Sequence, residues 1–404
     1  MGEMALKLNM SKAYDRVEWE CLDKIMKKLG FDGKWRGLIM KCVTTVTYAI
    51  RINGSPRGHI VPTRGILQGD PLSPYPFLLC AEGLSALIKH FVAAGNLEGI
   101  AICRGGPKLS HLFFADYSLI FCKASLSKCN ALQRILHLYE QAFGQQLNRA
   151  KTSLFFSKNT PSEIQEEIKT RFGAQVIKQH ERYLGLPSLV GRNKQSIFKS
   201  IKEKLRKKLA GWKEKMLSKI GKEILIKAVV QAIPSYTMSC FKLPDSLCED
   251  LTSMIRNFWW GQKNDEKKIA WLRWDKLCEP KSCGGMGFKK IKQFNMALLA
   301  KQGWRLQTKP NSFVCHVLKA KYFPNSDFIH ATLGNNPSYT WRSIMAAQSI
   351  VREGLRWRVG NDREIRIWED KWLPTAPTHK VCSPRLFLDP DTRVCELIKN
   401  ESDS

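Results

Sequence analysis

The sequence lacks the features of a secreted or membrane-spanning protein. Its 13 cysteines are scattered and none has Cys-x-x-Cys spacing, which argues against a disulfide scaffold or a zinc ribbon. The apolar run 4–8 is too short for a secretory signal, and no run approaches the length of a membrane-spanning helix. We therefore expect an intracellular protein, nuclear or cytoplasmic, with no membrane partner. The sequence leaves the oligomeric state open.

Acidic residues are also scarce. The chain has 36 Asp and Glu against 65 Lys and Arg, which gives a formal net charge of +29. A polyanion is the plainest partner, because each phosphate contact releases counterions and the gain grows with the number of contacts. A basic protein without such a partner is the alternative. The 44% apolar and 10% aromatic content excludes a largely disordered chain.

The first 155 residues alternate between predicted helices and predicted hairpins. Apolar residues at helical spacing over 17–29 predict a helix that Gly30 ends. Asn53-Gly54 predicts the turn of a β-hairpin, and the segment 74–95 predicts a second helix. The apolar segments on either side of Asp116 predict two strands about a tight turn. This alternation indicates layers of sheet and helix.

A basic amphipathic helix is predicted next. Apolar residues recur there at spacings of three and four: Ile201, Leu205, Leu209, Trp212, Met216 and Ile220. Between Lys199 and Lys222 there are ten Lys or Arg and two Glu. We expect one helix that packs on its apolar face and turns its basic face to nucleic acid. A merely solvated basic face is the alternative.

The last third is rich in tryptophan, with ten of the twelve Trp at or after Trp212. Trp interleaved with Lys and Arg can stack on nucleobases. The same residues can form a compact core, and we favour the core.

Three motifs follow one another in the chain: LKLNMSKAYD (6–15), TRGILQGDPLSPYPFLL (63–79) and FFADYSLIF (113–121). In this order they resemble the palm motifs of the reverse transcriptases of plant LINE-type, non-LTR retrotransposons. The second motif is the most specific, because a structural loop explains one Gly or Pro but not the whole string. Weaker matches extend the resemblance from about residue 4 to about residue 374.

The resemblance implies a metal site that has degenerated. In the family, the first motif supplies a metal-binding Asp and the third supplies an Asp pair. Here Asn9 stands at the first of these positions, Asp116 at the second and Tyr117 at the third. The family cofactor is Mg²⁺, which prefers carboxylate oxygen ligands. We therefore expect impaired Mg²⁺ binding, with Asp116 as the remaining metal ligand.

The resemblance also implies roles for other residues. Tyr14 matches the aromatic residue that lies against the sugar of the incoming nucleotide, and Lys151 matches a residue near the leaving pyrophosphate. Template and nucleotide contacts are expected from Arg64, Gly65, Gln68 and Gly69. The primer grip is expected from Tyr183, Leu184 and Gly185. Contacts from the thumb to nucleic acid are expected from Lys204, Arg206, Lys207 and Lys208.

The implied fold is α+β, with the palm of a right-hand polymerase. We expect an antiparallel palm sheet with packed helices over 1–197, without fingers. A basic helical thumb is expected over 198–245, and a Trp-rich region of unknown role over 246–404.

The activity implied by the family is RNA-directed DNA synthesis by two-metal nucleotidyl transfer. Its partners are an RNA template, an RNA–DNA duplex and deoxynucleoside triphosphates. If each lost carboxylate costs about 3–4 kcal/mol, the two losses lower the rate on the order of 10⁴–10⁶-fold. We therefore predict a catalytically inactive chain. The alternatives are a non-catalytic module that binds RNA or an RNA–DNA duplex, and a functionless transposon relic.

Overall fold

A computed structural model describes residues 2–177, 182–187, 190–191, 193–213, 217–261, 269–360, 365–374, 378–384, 388–389 and 391–397. The chain divides into two compact units, Met1–Ser188 and Leu189–Ser404. The second unit holds both of the segments predicted as thumb and as Trp-rich region, and its helices pack across the predicted boundary at residue 245.

The first unit mixes strands and helices. Its strands are β1 (Glu3–Asn9), β2 (Tyr48–Ile52), β3 (Ser55–Ile60), β4 (Ile100–Ala101), β5 (Lys108–Leu109), β6 (His111–Phe114), β7 (Tyr117–Lys123), β8 (Ser153–Phe156), β9 (Gln175–Val176), β10 (Arg182–Tyr183) and β11 (Leu186–Pro187). Its helices are α1 (Trp19–Lys28), α2 (Gly33–Thr44), α3 (Pro74–Ala93), α4 (Leu126–Phe143) and α5 (Ser162–Phe172).

The main sheet has five strands in the order β6-β7-β1-β8-β9. β1 runs antiparallel to β7 and β8, and only the short β9 pairs in parallel. Alternate residues of β1 are buried because successive side chains of a strand point to opposite faces. The buried face carries Met4, Leu6 and Leu8, which join one apolar core with residues of α1, α3, α4 and α5. The expected α+β palm, an antiparallel sheet with packed helices, is confirmed.

Helix α3 has the length and composition of a membrane span, although the sequence predicts none. It is 20 residues long with a mean hydropathy of 1.3 over the best window. Its Phe77, Leu84 and Ile88 are buried in the apolar core. Buried core helices pass the same length and composition test, and 33% of the most apolar window of α3 is buried in the structure.

The second unit is helical in its described part. Its helices are α6 (Lys194–Lys213), α7 (Lys219–Leu225), α8 (Ser235–Met238), α9 (Asp245–Trp260), α10 (Trp274–Leu277), α11 (Ile291–Thr308), α12 (Phe313–Tyr322), α13 (Tyr339–Met345) and α14 (Gln348–Gly354). Residues 226–230 form a π-helical segment after α7, and short 3₁₀ turns lie at 281–283 and 394–397. A further 3₁₀ turn, at 149–151, belongs to the first unit.

Helix α11 is central to this unit and packs against α8, α9, α13 and α14. Its Asn295 is buried and fully hydrogen-bonded. The Asn295 side chain accepts a hydrogen bond from Leu243 N–H at 2.8 Å and donates to the carbonyls of Met238 (2.8 Å) and Phe241 (2.9 Å). The Asn295 side chain thus connects the segment before α9 to α11 by hydrogen bonds.

The prediction of a single basic helix between Lys199 and Lys222 is wrong. α6 ends at Lys213, and α7 begins at Lys219, where the Ser218 side chain accepts a hydrogen bond from Gly221 N–H at 3.1 Å. Ile220, which was placed on the apolar stripe, is 71% exposed. Met216 of that stripe lies outside the described residues. Over α6 itself the predicted apolar face is correct, since Ile201, Leu205 and Leu209 are buried.

Seven of the ten tryptophans of the second unit are buried or half-buried. Trp341 is fully buried and stacks on Tyr322 and Phe323, with ring centroids 4.9 and 5.3 Å away. Trp259 is also buried and meets Phe288 edge to face. The exposed ones in this unit are Trp271, Trp304 and Trp357. The favoured core interpretation therefore holds for most of these side chains and not for these three.

Candidate functional site

The predicted metal positions lie together at one end of the main sheet. Asn9 is the last residue of β1 and pairs directly with Tyr117, the first residue of β7. Directly paired residues of antiparallel strands project to the same face of the sheet. Asp116 precedes Tyr117 in the turn between β6 and β7. The sequence-predicted strands and turn are therefore adjacent in space, with Asp116 in the turn rather than on a strand.

The turn that carries Asp116 is a two-residue connection. Phe114 pairs with Tyr117, so Ala115 and Asp116 form the loop. Ala115 has a φ of 50°, in the left-handed region that non-glycine residues rarely adopt. A tight turn with this backbone fits the right-handed twist of the flanking strands.

Tyr117 contacts the segment predicted as the primer grip. Its ring lies edge to face with that of Tyr183, with 6.5 Å between the ring centroids and 81° between the planes. Tyr183 pairs with Leu186, so that Leu184 and Gly185 form the hairpin loop between β10 and β11. Both loop residues have positive φ, 49° and 78°. The three predicted primer-grip residues thus form one small hairpin beside Tyr117.

Gly65 makes a close contact within the protein. Its N–H donates to the carbonyl of Val17 at 2.8 Å, and the next residue, Ile66, donates to the carbonyl of Tyr14 at 3.0 Å. A Cβ on Gly65 would lie 2.7 Å from the carbonyl oxygen of Asp15. This glycine therefore lets the second motif lie against the backbone at the end of the first motif. Its direct approach to nucleic acid stays a prediction.

The other predicted residues of the second motif are mostly open to solvent. Gln68 and Gly69 are exposed, and a Cβ on Gly69 would meet nothing within 4 Å. Arg64 pairs with Glu18 at 3.2 Å. Asp70 accepts a hydrogen bond from Leu72 N–H at 2.7 Å and so orders the turn before α3. Gly65 is thus built into the protein, whereas Gln68 and Gly69 remain available to a ligand.

Tyr14 is half-buried against α3. Its ring stacks on Phe77, with ring centroids 4.9 Å apart and 17° between the planes. The neighbouring carbonyl of Gly65 accepts a hydrogen bond from Trp19 Nε1 at 2.7 Å. The sequence did not single out Trp19, because this bond joins residues 46 positions apart and no local pattern encodes it.

A third segment completes the site from the loop before β8. Asn148 N–H donates to the carbonyl of Asn9 at 2.8 Å. Gln145, which is buried, donates from Nε2 to the carbonyl of Ala13 at 2.9 Å. Lys151 lies at the end of this loop, exposed, and its backbone N–H is held by the Asn148 side chain at 3.2 Å. Sequence reasoning missed Gln145, for which only its place in the FGQQLN string offered a signal.

The side chains present do not fit a pair of Mg²⁺ ions. Asn9 offers one neutral amide oxygen, Tyr117 offers no carboxylate, and Asp116 is the one carboxylate among the three positions. Within the described ranges, no group of three or more His, Cys, Asp or Glu side chains is placed to hold a metal ion. Mg²⁺ binds few protein ligands, but these are carboxylates in tight octahedral geometry.

The four predicted thumb cations are exposed on α6. Among the described residues, none of them forms an ion pair. They do not share one side of the helix, however. Arg206 lines a cavity of about 540 Å³ between α6 and α9 together with Lys199 and Lys202, whereas Lys204 and Lys208 lie on the opposite flank of the buried stripe, since 3.6 residues make one turn.

Two other lysines of the predicted basic helix donate hydrogen bonds to backbone carbonyls within the protein. Lys222 is buried, and its Nζ donates to the carbonyl of Gly261 at 2.5 Å. Lys219 lies over the ring of Trp259 at 4.9 Å and donates to the Trp259 carbonyl at 3.1 Å. The expectation that the whole 199–222 segment presents its charge to nucleic acid is therefore wrong for the buried Lys222, whereas Lys219 is exposed.

Comparison with known proteins assigns the first unit to a family. The family model described as "Reverse transcriptase (RNA-dependent DNA polymerase)" matches residues 1–188, the same range as the first compact unit. Members of this family generally use divalent metal ions.

Three relatives illustrate the range of the similarity. An uncharacterized mitochondrial protein of Arabidopsis thaliana is 40% identical over 35% of this chain and 93% of its own length. The Pol polyprotein of the type-1 retrotransposable element R2 of Popillia japonica is 30% identical over 28% of this chain and 16% of its own. A 149 kDa protein of transposon TX1 of Xenopus laevis is 22% identical over 64% of this chain and 19% of its own.

The chain thus spans less than a fifth of the length of the two transposon proteins, while it covers nearly all of the mitochondrial relative. The matched family model, the palm sheet and the order of the three motifs agree with one another. The first unit of the chain, residues 1–188, therefore belongs to the reverse transcriptase family, and the chain is similar to proteins of non-LTR retrotransposons.

Proposed function

We propose that this protein is a reverse-transcriptase palm that binds nucleic acid but does not synthesise DNA. RNA and RNA–DNA duplexes are the expected ligands, because they are the template and product of the family's reaction. Deoxynucleoside triphosphates belong to the ancestral activity.

The pairing of Asn9 with Tyr117 is the observation that supports the proposed loss of catalysis. Because the two residues are opposite each other on one sheet face, two of the three expected carboxylates are missing from one place. The remaining Asp116 is one turn residue away. A loss of about 3–4 kcal/mol for each carboxylate lowers the rate on the order of 10⁴–10⁶-fold.

The positive net charge of the chain supports the proposal that it still binds nucleic acid. The chain carries a formal net charge of +29, and α6 carries exposed cations, among them Lys204 and Lys208, that form no ion pair with the other described residues. Lys151 is likewise exposed in the loop that is bonded to Asn9. Phosphate contacts of this kind give affinity that falls with salt, by about 0.7 in logarithmic slope for each contact with a single strand.

The test combines binding and synthesis on the same folded protein. Fluorescence anisotropy would measure affinity for a single-stranded RNA and for an RNA–DNA duplex at several salt concentrations. Primer extension would be measured with the same duplex, deoxynucleoside triphosphates and Mg²⁺ or Mn²⁺. A reverse transcriptase with three carboxylates would be the positive control. We expect salt-dependent binding and no extension.

Two other outcomes would overturn the proposal. Template-directed extension above the rate of a Asp116→Asn variant would establish an active polymerase. A folded protein that binds neither ligand at low salt would support the alternative of a functionless relic.

A further inference from the structure

A row of aromatic side chains lies on the exposed face of the main sheet, at the end that carries Asn9 and Tyr117. Phe114 pairs with Tyr117 and Tyr117 pairs with Asn9, so the three side chains share one sheet face. Phe114 is 60% exposed and Tyr117 is 37% exposed. Tyr183 extends the row through its edge-to-face contact with Tyr117. Exposed aromatic rings so close together are unusual on a domain surface and mark a binding surface.

The electrostatic surroundings of this row favour an anionic ligand. The loop that is bonded to the Asn9 carbonyl carries Arg149 and Lys151, which are both exposed and, in the part of the chain that the structure describes, form no ion pair. The exchanges at Asn9 and Tyr117 also remove two negative charges from the row. In the absence of metal ions, carboxylates there would repel a phosphodiester backbone.

We propose that Tyr117 provides a base-stacking site for single-stranded nucleic acid, in the place where the family holds a metal ligand. The bound group is an unpaired nucleobase, stacked on the row formed by Phe114, Tyr117 and Tyr183, while Arg149 and Lys151 attract its phosphates. Every nucleobase has a flat π-face, so the site takes RNA bases without strong sequence preference. The exchange that removes a metal ligand thereby adds a contact that needs no metal. This inference rests on the proposed nucleic-acid binding and specifies one of its contacts.

Two RNA probes of equal charge separate stacking from phosphate binding. One is a 12-nucleotide oligouridine, and the other is a 12-unit abasic strand with the same ribose-phosphate backbone. Affinities would be measured in EDTA for wild type, Tyr117→Ala, Tyr117→Leu and Tyr117→Phe. Tyr236→Ala, which removes an exposed tyrosine of the second unit, is the matched control. Circular dichroism would verify that each variant is folded.

Stacking on one aromatic ring predicts a loss of about 5- to 100-fold in oligouridine affinity for Tyr117→Ala and Tyr117→Leu. Tyr117→Phe and Tyr236→Ala should remain within about twofold of wild type, because the first keeps the ring and the second is distant in sequence. On the abasic strand all variants should bind alike. The abasic strand thus isolates the phosphate contacts.

The result that overturns the inference is equal oligouridine binding by wild type and Tyr117→Ala, with both strands still bound. Loss of affinity for the abasic strand as well in folded Tyr117→Ala would overturn it too, because the residue would then act on phosphate binding. Failure of wild type to bind either strand would instead refute the underlying proposal of nucleic-acid binding.

Discussion

Asn9 and Tyr117 are cross-strand partners, at the last position of β1 and the first position of β7. The resemblance to reverse transcriptases implies metal-binding carboxylates at both positions, so both exchanges alter one small region of the sheet. The β1–β7 pairing continues without interruption to Glu3 and Lys123. The sheet is therefore intact around the altered positions, and restoring the carboxylates is a meaningful experiment.

The variant with both Asn9→Asp and Tyr117→Asp should gain divalent-ion binding. This variant would have three carboxylates at one end of the sheet: the two new ones at positions 9 and 117, and the native Asp116. An ion present at ten times its Kd stabilises the folded state by about 1.4 kcal/mol, which raises Tm by roughly 3–6 °C in a unit of this size. Thermal unfolding with and without Mg²⁺ or Mn²⁺, at matched ionic strength, measures this. An equal rise in wild type would contradict the prediction.

The local parts of this region were predictable from sequence, and the long-range parts were not. The turn at Asp116 and the Asn53-Gly54 hairpin follow from local turn chemistry, and both are present. The contact of Gly65 with Asp15 joins distant segments, so no local pattern reveals it. The break between α6 and α7 was missed because the apolar spacing continues through it.

Gly65→Ala should destabilise the first unit more than Gly69→Ala. Both glycines have positive φ, 88° and 102°, so both alanines are strained, by about 1–2 kcal/mol. At Gly65 the new Cβ would also lie 2.7 Å from the Asp15 carbonyl oxygen, which belongs to the backbone. Forcing that contact apart adds about 1–3 kcal/mol. Urea unfolding of the two variants compares them, and equal midpoints would show that the backbone contact is unimportant.

Asn295→Ala should be among the more destabilising single changes in the second unit. It removes the partners of the Leu243 N–H and of two carbonyls in a buried setting. Each buried group left without a partner costs about 1–3 kcal/mol, so we expect a loss of at least about 2 kcal/mol. Gln293→Ala, an exposed change on the same helix, is the control for helix propensity. Comparable urea midpoints for both variants would refute this.

His111 should make stability depend on pH near neutrality. Burial, and secondarily the charge of Lys89, lowers the pKa of His111 below its usual value. Its two ring nitrogens lie 3.0 Å from Ser85 Oγ and 2.9 Å from Ser110 Oγ. Because the pKa of His111 is lower in the folded state than in the unfolded state, the unfolded state binds the proton more readily. The free energy of unfolding therefore falls as pH drops through the window between these two pKa values.

Between about pH 7.5 and pH 5.5, which brackets the usual histidine pKa, wild type should lose more stability than His111→Gln. Urea midpoints at several pH values measure the difference. His59→Gln, at an exposed position of β3, should keep the wild-type dependence. A His111→Gln curve parallel to that of wild type would exclude this histidine as the source.

The cations of α6 should contribute unequally to nucleic-acid binding. Lys204 and Lys208 are one helical turn apart, on the flank away from the α9 cavity. On the other flank, Arg206 and Lys199 share their surroundings with two acids, Glu203 and Asp250. The acids reduce the attraction of that flank for phosphate, whereas neither Lys204 nor Lys208 forms an ion pair in the part of the chain that the structure describes.

Replacing Lys204 and Lys208 together by Ala should therefore lower the logarithmic salt slope of RNA binding by about 1.4, which corresponds to two lost single-strand phosphate contacts. The matched control is Lys199→Ala with Arg206→Ala, which removes the same charge from the opposite flank and should lower the slope less. Overall charge alone predicts equal effects, because both double variants change the net charge equally.

Affinity for single-stranded RNA would be measured by anisotropy over a series of salt concentrations. Equal slopes in the two double variants would assign the binding to general charge, and a larger fall in the control would place the interface on the α9 flank.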